Sequence, residues 1–186
     1  MSEQDNLTAK QLGADGLSQY AVFLPAISGF YATFVGRQRA TNDYVDPARF
    51  PQGLTDMEQM NWLNSSKALF PYKWSLYSGG HANLDLAKDD ASEYMVRDRE
   101  PGTFMLGDSG GFQIAKGLWE GDWKANSGCA KAQKKRDAVL KWLDGISDYA
   151  MTLDIPTWVV HDKKASDACG IKTLTDAVEA TKYNNE

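Results

Sequence analysis

Two short, almost wholly apolar runs set the terms for this chain: TFMLG (103–107), followed directly by Asp108, and YAMTL (149–153), followed directly by Asp154. A strand with one wet face alternates apolar and polar residues, whereas a strand buried on both faces reads as a continuous apolar run. Between the two runs, GLWEGDWKANSGC (117–129) reads as a long loop. From Lys131 to Ile146 a helical pattern places Ala132, Val139, Leu143 and Ile146 near one face. Parallel neighbours cannot be joined by a tight turn, so a helix between two buried strands marks a crossover. YAVFLPAI (20–27) and KWSLY (73–77) supply two earlier strands. Further helices are expected from Thr55, with Thr55 as N-cap and Glu58 completing a capping box, over LDLAKDDASEYMV (84–96) and over TLTDAVEATKY (173–183). Residues 1–18 read as a loose arm, and the segment after the first strand, SGFYATFVGRQRA, reads as a loop. The expected class is α/β, a parallel sheet with crossover helices, in one domain.

Composition narrows the function classes. The chain has 186 residues, 42% of them hydrophobic and 24% charged, which suits a globular domain with a substantial core. A net charge of −5 argues against nonspecific nucleic-acid binding through a strongly basic surface, while leaving room for a local basic patch. The polar, acidic start MSEQDNLTAK lacks the order of a signal peptide, and no apolar run is long enough to span a bilayer. Cys129 and Cys169 form no CxxC pair and read as free thiols. These features point to a cytoplasmic protein with no membrane partner.

The stretch FMLGDSGGFQ (104–113) contains the letters of the nucleophile segment of chymotrypsin-like serine proteases. That chemistry needs a histidine base and an aspartate held beside the serine on a β fold. The two histidines, His81 in SGGHANL and His161 in VVHDK, lack the expected context, and helical segments flank the motif. The serine-nucleophile reading fails.

Asp108 offers the better reading. In parallel α/β proteins functional side chains sit where strands end at their carboxyl edge. Asp108 and Asp154 end neighbouring strands, so two carboxylates are expected side by side at one rim. Guanine and its 7-deaza relatives present N1–H and a 2-amino group as adjacent donors, which carboxylates accept. Gly110 and Gly111 would let backbone and ligand approach closely, Phe112 offers a stacking face, and Gln113 can both donate and accept.

On these residues the chain resembles a known family. DSGGFQ (108–113) is similar to the signature of the tRNA-guanine transglycosylases, and LDIPT (153–157) to their second substrate-binding aspartate segment. The resemblance implies a (β/α)8 barrel that replaces guanine in DNA or tRNA by a 7-deazaguanine through a pentosyl-enzyme intermediate. It implies that Asp108 is an acid/base that also contacts the base, that Ser109, Gly110 and Gly111 shape the pocket, that Phe112 stacks, and that Gln113 and Asp154 bind the base. The family's nucleophilic aspartate and its zinc ligands have no counterpart in the residues matched, and a full barrel takes roughly 250 residues or more. The expectation is therefore the first four strands of such a barrel (19–186), with no metal or other cofactor in this chain, as a truncated gene product, an incomplete record, or one part of a split enzyme completed by a C-terminal-half partner chain. Mismatch of SGFYATFVGRQRA and YSGGHANL with the common tRNA enzymes favours the phage and bacterial branch that modifies DNA. The alternative is a noncatalytic base- or nucleic-acid-binding subunit.

Three further features carry expectations. Lys131, Lys134, Lys135, Arg136 and Lys141 crowd one helix, a solvated face or a phosphate-contacting patch. Arg37 and Arg39, beside Tyr31 and Phe34, are placed to meet a nucleic-acid backbone. Trp119 and Trp123 either cover the base as a lid or anchor their loop by packing.

Overall fold

The structure, a computed structural model, describes residues 22–41 and 45–186. Four strands form one sheet in the order β1 (Ala26–Ile27), β2 (Trp74–Ser78), β3 (Phe104–Asp108), β4 (Tyr149–Ala150), each parallel to its neighbour. The helices are α1 (Gly29–Thr41), α2 (Tyr94–Arg97), α3 (Gly111–Ala115), α4 (Ala130–Ile146), α5 (Lys163–Cys169) and α6 (Leu174–Asn184). The parallel α/β class expected from the apolar runs is what the chain adopts. The arm at 1–18 and the start of the first strand lie outside the described residues.

Alternation along the strands gives the sheet two unlike faces. Tyr77 and Met105 pack with Ala32 and Val35 of α1 and with Val139, Trp142, Leu143 and Ile146 of α4 in one buried cluster. On the other face the rings of Trp74, Phe104 and Tyr149 follow one another at centroid distances of 5.0 and 5.8 Å. Leu76 and Leu106, paired across β2 and β3 on that same face, are only half buried, and Tyr149 is 53% exposed. A second cluster, built from Ile114, Ala115, Trp123, Leu153, Ile155 and the inner sides of α5 and α6, lies beyond the carboxyl ends of β3 and β4.

Several elements differ from expectation, each for a local reason. Residues 29–41 are helical: Ser28 caps the first turn by accepting from the Tyr31 N–H (3.1 Å), and α1 lies so close to the Ala91–Glu93 turn that a Cβ on Gly36 would stand 1.4 Å from the Ala91 carbonyl oxygen. Tertiary contact overrides a weakly amphipathic sequence. The helix expected over 84–96 is replaced by side-chain turns and ends in the short α2. Asn83, Asp85 and Asp90 accept from the backbone N–H groups two residues on, and the Arg97 guanidinium donates to the Asn83 and Asp85 carbonyls. Such bonds offer the backbone an alternative to the helix. At Thr55 the expected helix is a single 3-10 turn (Met57–Met60) whose cap is Asp56, and the capping box closes through Gln59, not Glu58. The strand expected over 149–153 pairs only at Tyr149–Ala150, and both residues are exposed. α5, not foreseen, is capped by Asp162 and ended by Gly170 in the left-handed region.

Candidate functional site at the carboxyl edge of the sheet

Asp108 is the last residue of β3, opposite Ser78 of β2. Its carbonyl accepts from the Gly79 N–H (2.8 Å), which ties the ends of the two strands together. By alternation its side chain leaves the sheet on the sparsely covered face, above Leu106 and Phe104. The half-buried carboxylate has no hydrogen bond or ion pair among the described residues.

Ser109 is turned the other way. It is fully buried, and its Oγ finds no hydrogen-bond partner among the described residues. A serine so buried is not exposed to act as a nucleophile. Gln113 is 6% exposed, its side chain lies over Gly80, and its Oε1 is likewise without a partner there. Its backbone carbonyl accepts from Leu118 and Trp119, which folds the start of the long loop back onto α3.

The two glycines of the motif make room for the protein itself. Gly110 has φ of 81°, in the left-handed region, and a Cβ there would stand 2.7 Å from the Trp119 ring. At Gly111 a Cβ would stand 2.2 Å from the Asp154 carbonyl oxygen and 2.8 Å from its Oδ1. The space that a Cβ would take at these two positions is occupied by Trp119 and Asp154. The second approach also answers whether the two aspartates belong together, because Asp154 packs directly against the turn that follows Asp108.

Asp154 is exposed between buried Leu153 and Ile155, so its backbone is fixed on both sides. The Ile155 N–H donates to Thr181 Oγ1 (2.8 Å), and Asn184 Nδ2 donates to the Leu153 carbonyl (2.9 Å). Asn184 in turn accepts from Nε of Arg136 (2.6 Å), whose other arm donates to the Trp123 carbonyl (3.0 Å). The guanidinium lies 5.0 Å from the Trp123 and Tyr183 ring centroids. Arg136 is 4% exposed, and burial pushes its guanidinium below the usual value. It is the anchor of the Asp154 segment, not part of a phosphate patch.

Phe112 is 54% exposed and faces a residue outside both sequence motifs' expected roles, Trp158, at 6.0 Å between ring centroids. The Lys116 ammonium lies 5.7 Å from the first ring and 5.0 Å from the second. A signal for this trio exists in the sequence: Trp158 follows Asp154 by four residues, and Lys116 follows Phe112 by four. Trp119 and Trp123 stack at 6.4 Å, and Trp123 is fully buried with its Nε1 donating to the Trp119 carbonyl (2.8 Å), so they anchor their loop. His81 and His161 are exposed, and Arg39 is engaged with Asp98 (2.9 Å). Both cysteines carry free thiols.

Among the described residues no group of three or more His, Cys, Asp and Glu side chains could hold a metal ion, and no helix is long and apolar enough to cross a membrane. Comparison of the chain with known protein families, with curated proteins and with solved structures gives no match.

Proposed function

We propose that the carboxyl edge of the sheet recognises a guanine-type base, and that the chain is the base-recognition part of a transglycosylase exchanging guanine in a nucleic acid for a 7-deazaguanine. One observation carries the reading: the Asp108 carboxylate at the end of β3 and Gln113 Oε1 five residues on have no partner among the described residues. A buried acceptor left unsatisfied costs about 1–3 kcal/mol, which a donor from a ligand at this edge would relieve at Gln113. A purine with adjacent N1–H and 2-amino donors suits such acceptors. The sequential order of four parallel strands, with helices packed on one face and an aromatic row on the other, supports a (β/α)8 barrel whose lumen is the aromatic face.

In the exchange, a carboxylate attacks C1′ as guanine departs with the C1′–N9 electron pair and takes up a proton. The incoming base then attacks the same carbon and loses a proton as the C1′–O bond breaks and returns its electron pair to the carboxylate, which restores the original configuration. Asp108 contacts the base and moves the proton, Phe112 stacks on it, and Asp154 accepts from its edge. The attacking carboxylate is left unassigned.

Calorimetric titration of the chain with guanine, 7-deazaguanine and adenine tests the recognition step. Guanine and 7-deazaguanine should bind and adenine should not, since adenine lacks the N1–H and 2-amino donors. Asp108→Asn replaces an acceptor oxygen by a donor, and loss of a charge-assisted bond should weaken guanine binding by about 10- to 100-fold. Adenine binding as tightly as guanine, or an Asp108→Asn variant that binds guanine normally, rejects the reading.

A further inference from the structure

Between the 79–86 loop and α4 lies a cavity of about 570 Å³ with an unusual charge. Lys134, Lys135 and Lys141 line it, and among the described residues Asp85 is the one acidic group in its wall. The Asp85 carboxylate already accepts from the Ala87 N–H (3.1 Å). Lys134 and Lys141 lie on one face of α4 with Ala138 between them, three to four residues apart, so the small alanine opens space that two cations border. The Lys135 ammonium lies 5.0 Å from the Trp119 ring centroid. Their neighbours in the sequence are engaged elsewhere: Lys131 pairs with Glu120 (3.0 Å), and Arg136 is buried on Asn184. The three cavity lysines form no ion pair among the described residues. Three lysines, Lys134 and Lys141 exposed and Lys135 half-buried, border one hollow in a chain of net charge −5, where carboxylates to neutralise them are plentiful. An anion in the cavity accounts for the arrangement.

The remaining wall says which anion. Leu84, Leu86 and the Trp119 indole give it an apolar side. Ammonium groups are compact point charges that suit the oxygens of a phosphate, which need not be met in one plane. The volume falls within the range of about 300–1,000 Å³ typical of small-molecule sites and exceeds what a bare ion needs. We propose that this cavity binds a phosphate ester, the lysines on the phosphate oxygens and the organic part against Trp119, Leu84 and Leu86. Trp119 also touches Gly110, and Gly80 in the cavity floor touches Gln113, so the cavity shares walls with the DSGGFQ segment. The ester is a unit of a nucleic-acid backbone or a free nucleotide, and the chemistry is common to both.

The test avoids guanine, so its outcome is separate from that of base recognition. The full chain is titrated with thymidine 5′-monophosphate and with a short single-stranded oligothymidylate at several salt concentrations. Lys134→Glu/Lys141→Glu and Lys135→Glu should weaken binding at least about 10-fold. For the oligomer the slope of log affinity against log salt should shrink by about 0.7 for each phosphate no longer neutralised. Lys182→Ala, on the far helix, should bind as the unaltered chain does, and circular dichroism should show all variants folded. Lysine-dependent binding of the oligomer with no binding of the monophosphate identifies a backbone site, and the converse identifies a free-nucleotide site. Failure of both probes to bind, or charge-reversal variants that bind both normally, overturns the proposal.

Discussion

The hydroxyl of Ser109 is sealed from solvent with nothing among the described residues to bond to, while the carboxylate beside it is half-buried and equally unpartnered. Their substitutions should therefore behave in opposite ways. Ser109→Ala removes a buried unsatisfied group and should leave the chain as stable as before or more stable by up to about 1 kcal/mol, read from urea unfolding, with guanine affinity reduced far less than by Asp108→Asn. A Ser109→Ala variant that loses guanine binding altogether would make the serine the main recognition group. At this scale the sequence indicated which residues to look at and not what packs against them. DSGGFQ drew the eye to the segment and the apolar run before it placed Asp108 at the end of β3, whereas β4 stops at Ala150 and Asp154 lies beyond it in a non-strand segment. The reason for Gly111, the close approach of Asp154 to the turn, depends on a residue far along the chain, and no local pattern encodes it. Ser109 burial was hidden for the same reason: whether a small polar side chain after a strand points in or out depends on what the next turn packs against.

Among the elements, the junction of β2 with the Ala91–Glu93 turn carries the clearest dependence on pH. Glu93 is 2% exposed and accepts from the Tyr77 hydroxyl (2.9 Å) and the Asn83 N–H (3.0 Å), with Oε2 unpartnered among the described residues. Burial raises its pKa above the ordinary glutamate value despite those two bonds. A raised value in the folded state means stability is fully present below the unfolded glutamate pKa and is lost as pH rises through the folded one. Glu93→Gln keeps an acceptor for Tyr77 and removes the charge. Thermal unfolding of this variant should be flatter than that of the unaltered chain between about pH 4 and pH 8, with the higher Tm at the upper end and little difference at the lower. Equal slopes would show that Glu93 binds protons alike in the folded and unfolded states and that burial does not raise its pKa. This turn also shows why helices were the least legible elements. Asn83, Asp85 and Asp90 sit at helical spacing from apolar neighbours, but their side chains bond two residues ahead and hold the backbone in turns. α4 and α6, with a clean apolar stripe and a Thr173 capping box, were legible because local and tertiary preferences agree.

Over the whole molecule two buried clusters divide the work: one welds the sheet to α1 and α4, the other holds the loops that follow β3 and β4. Arg136 belongs to α4 and reaches into the second, spanning the Trp123 carbonyl, Asn184 and two aromatic rings with one planar group. Lysine cannot reproduce that fork. Arg136→Lys should cost about 2–4 kcal/mol in urea unfolding through broken bonds and groups stranded in the interior. On the proposed function it should also weaken guanine binding, because Asn184 would no longer hold Leu153 beside Asp154. Lys134→Arg, two residues away on the same helix, should leave stability unchanged within about 0.5 kcal/mol. Equal stability of the two variants would show that Arg136 does not link the clusters.

Lysine and arginine codons can differ by a single base, so mutation exchanges these two residues readily. In KAQKKRDAVL the letters around position 136 look like a run of equivalent cations. At 134 and 135 an exchange leaves a positive group on a cavity wall, and the fold does not register it. At 136 the same one-base change removes the group that ties Asn184 to the Trp123 loop. Selection on folding alone would therefore sort a run that composition treats as uniform, passing copying errors at its neighbours and rejecting them at one.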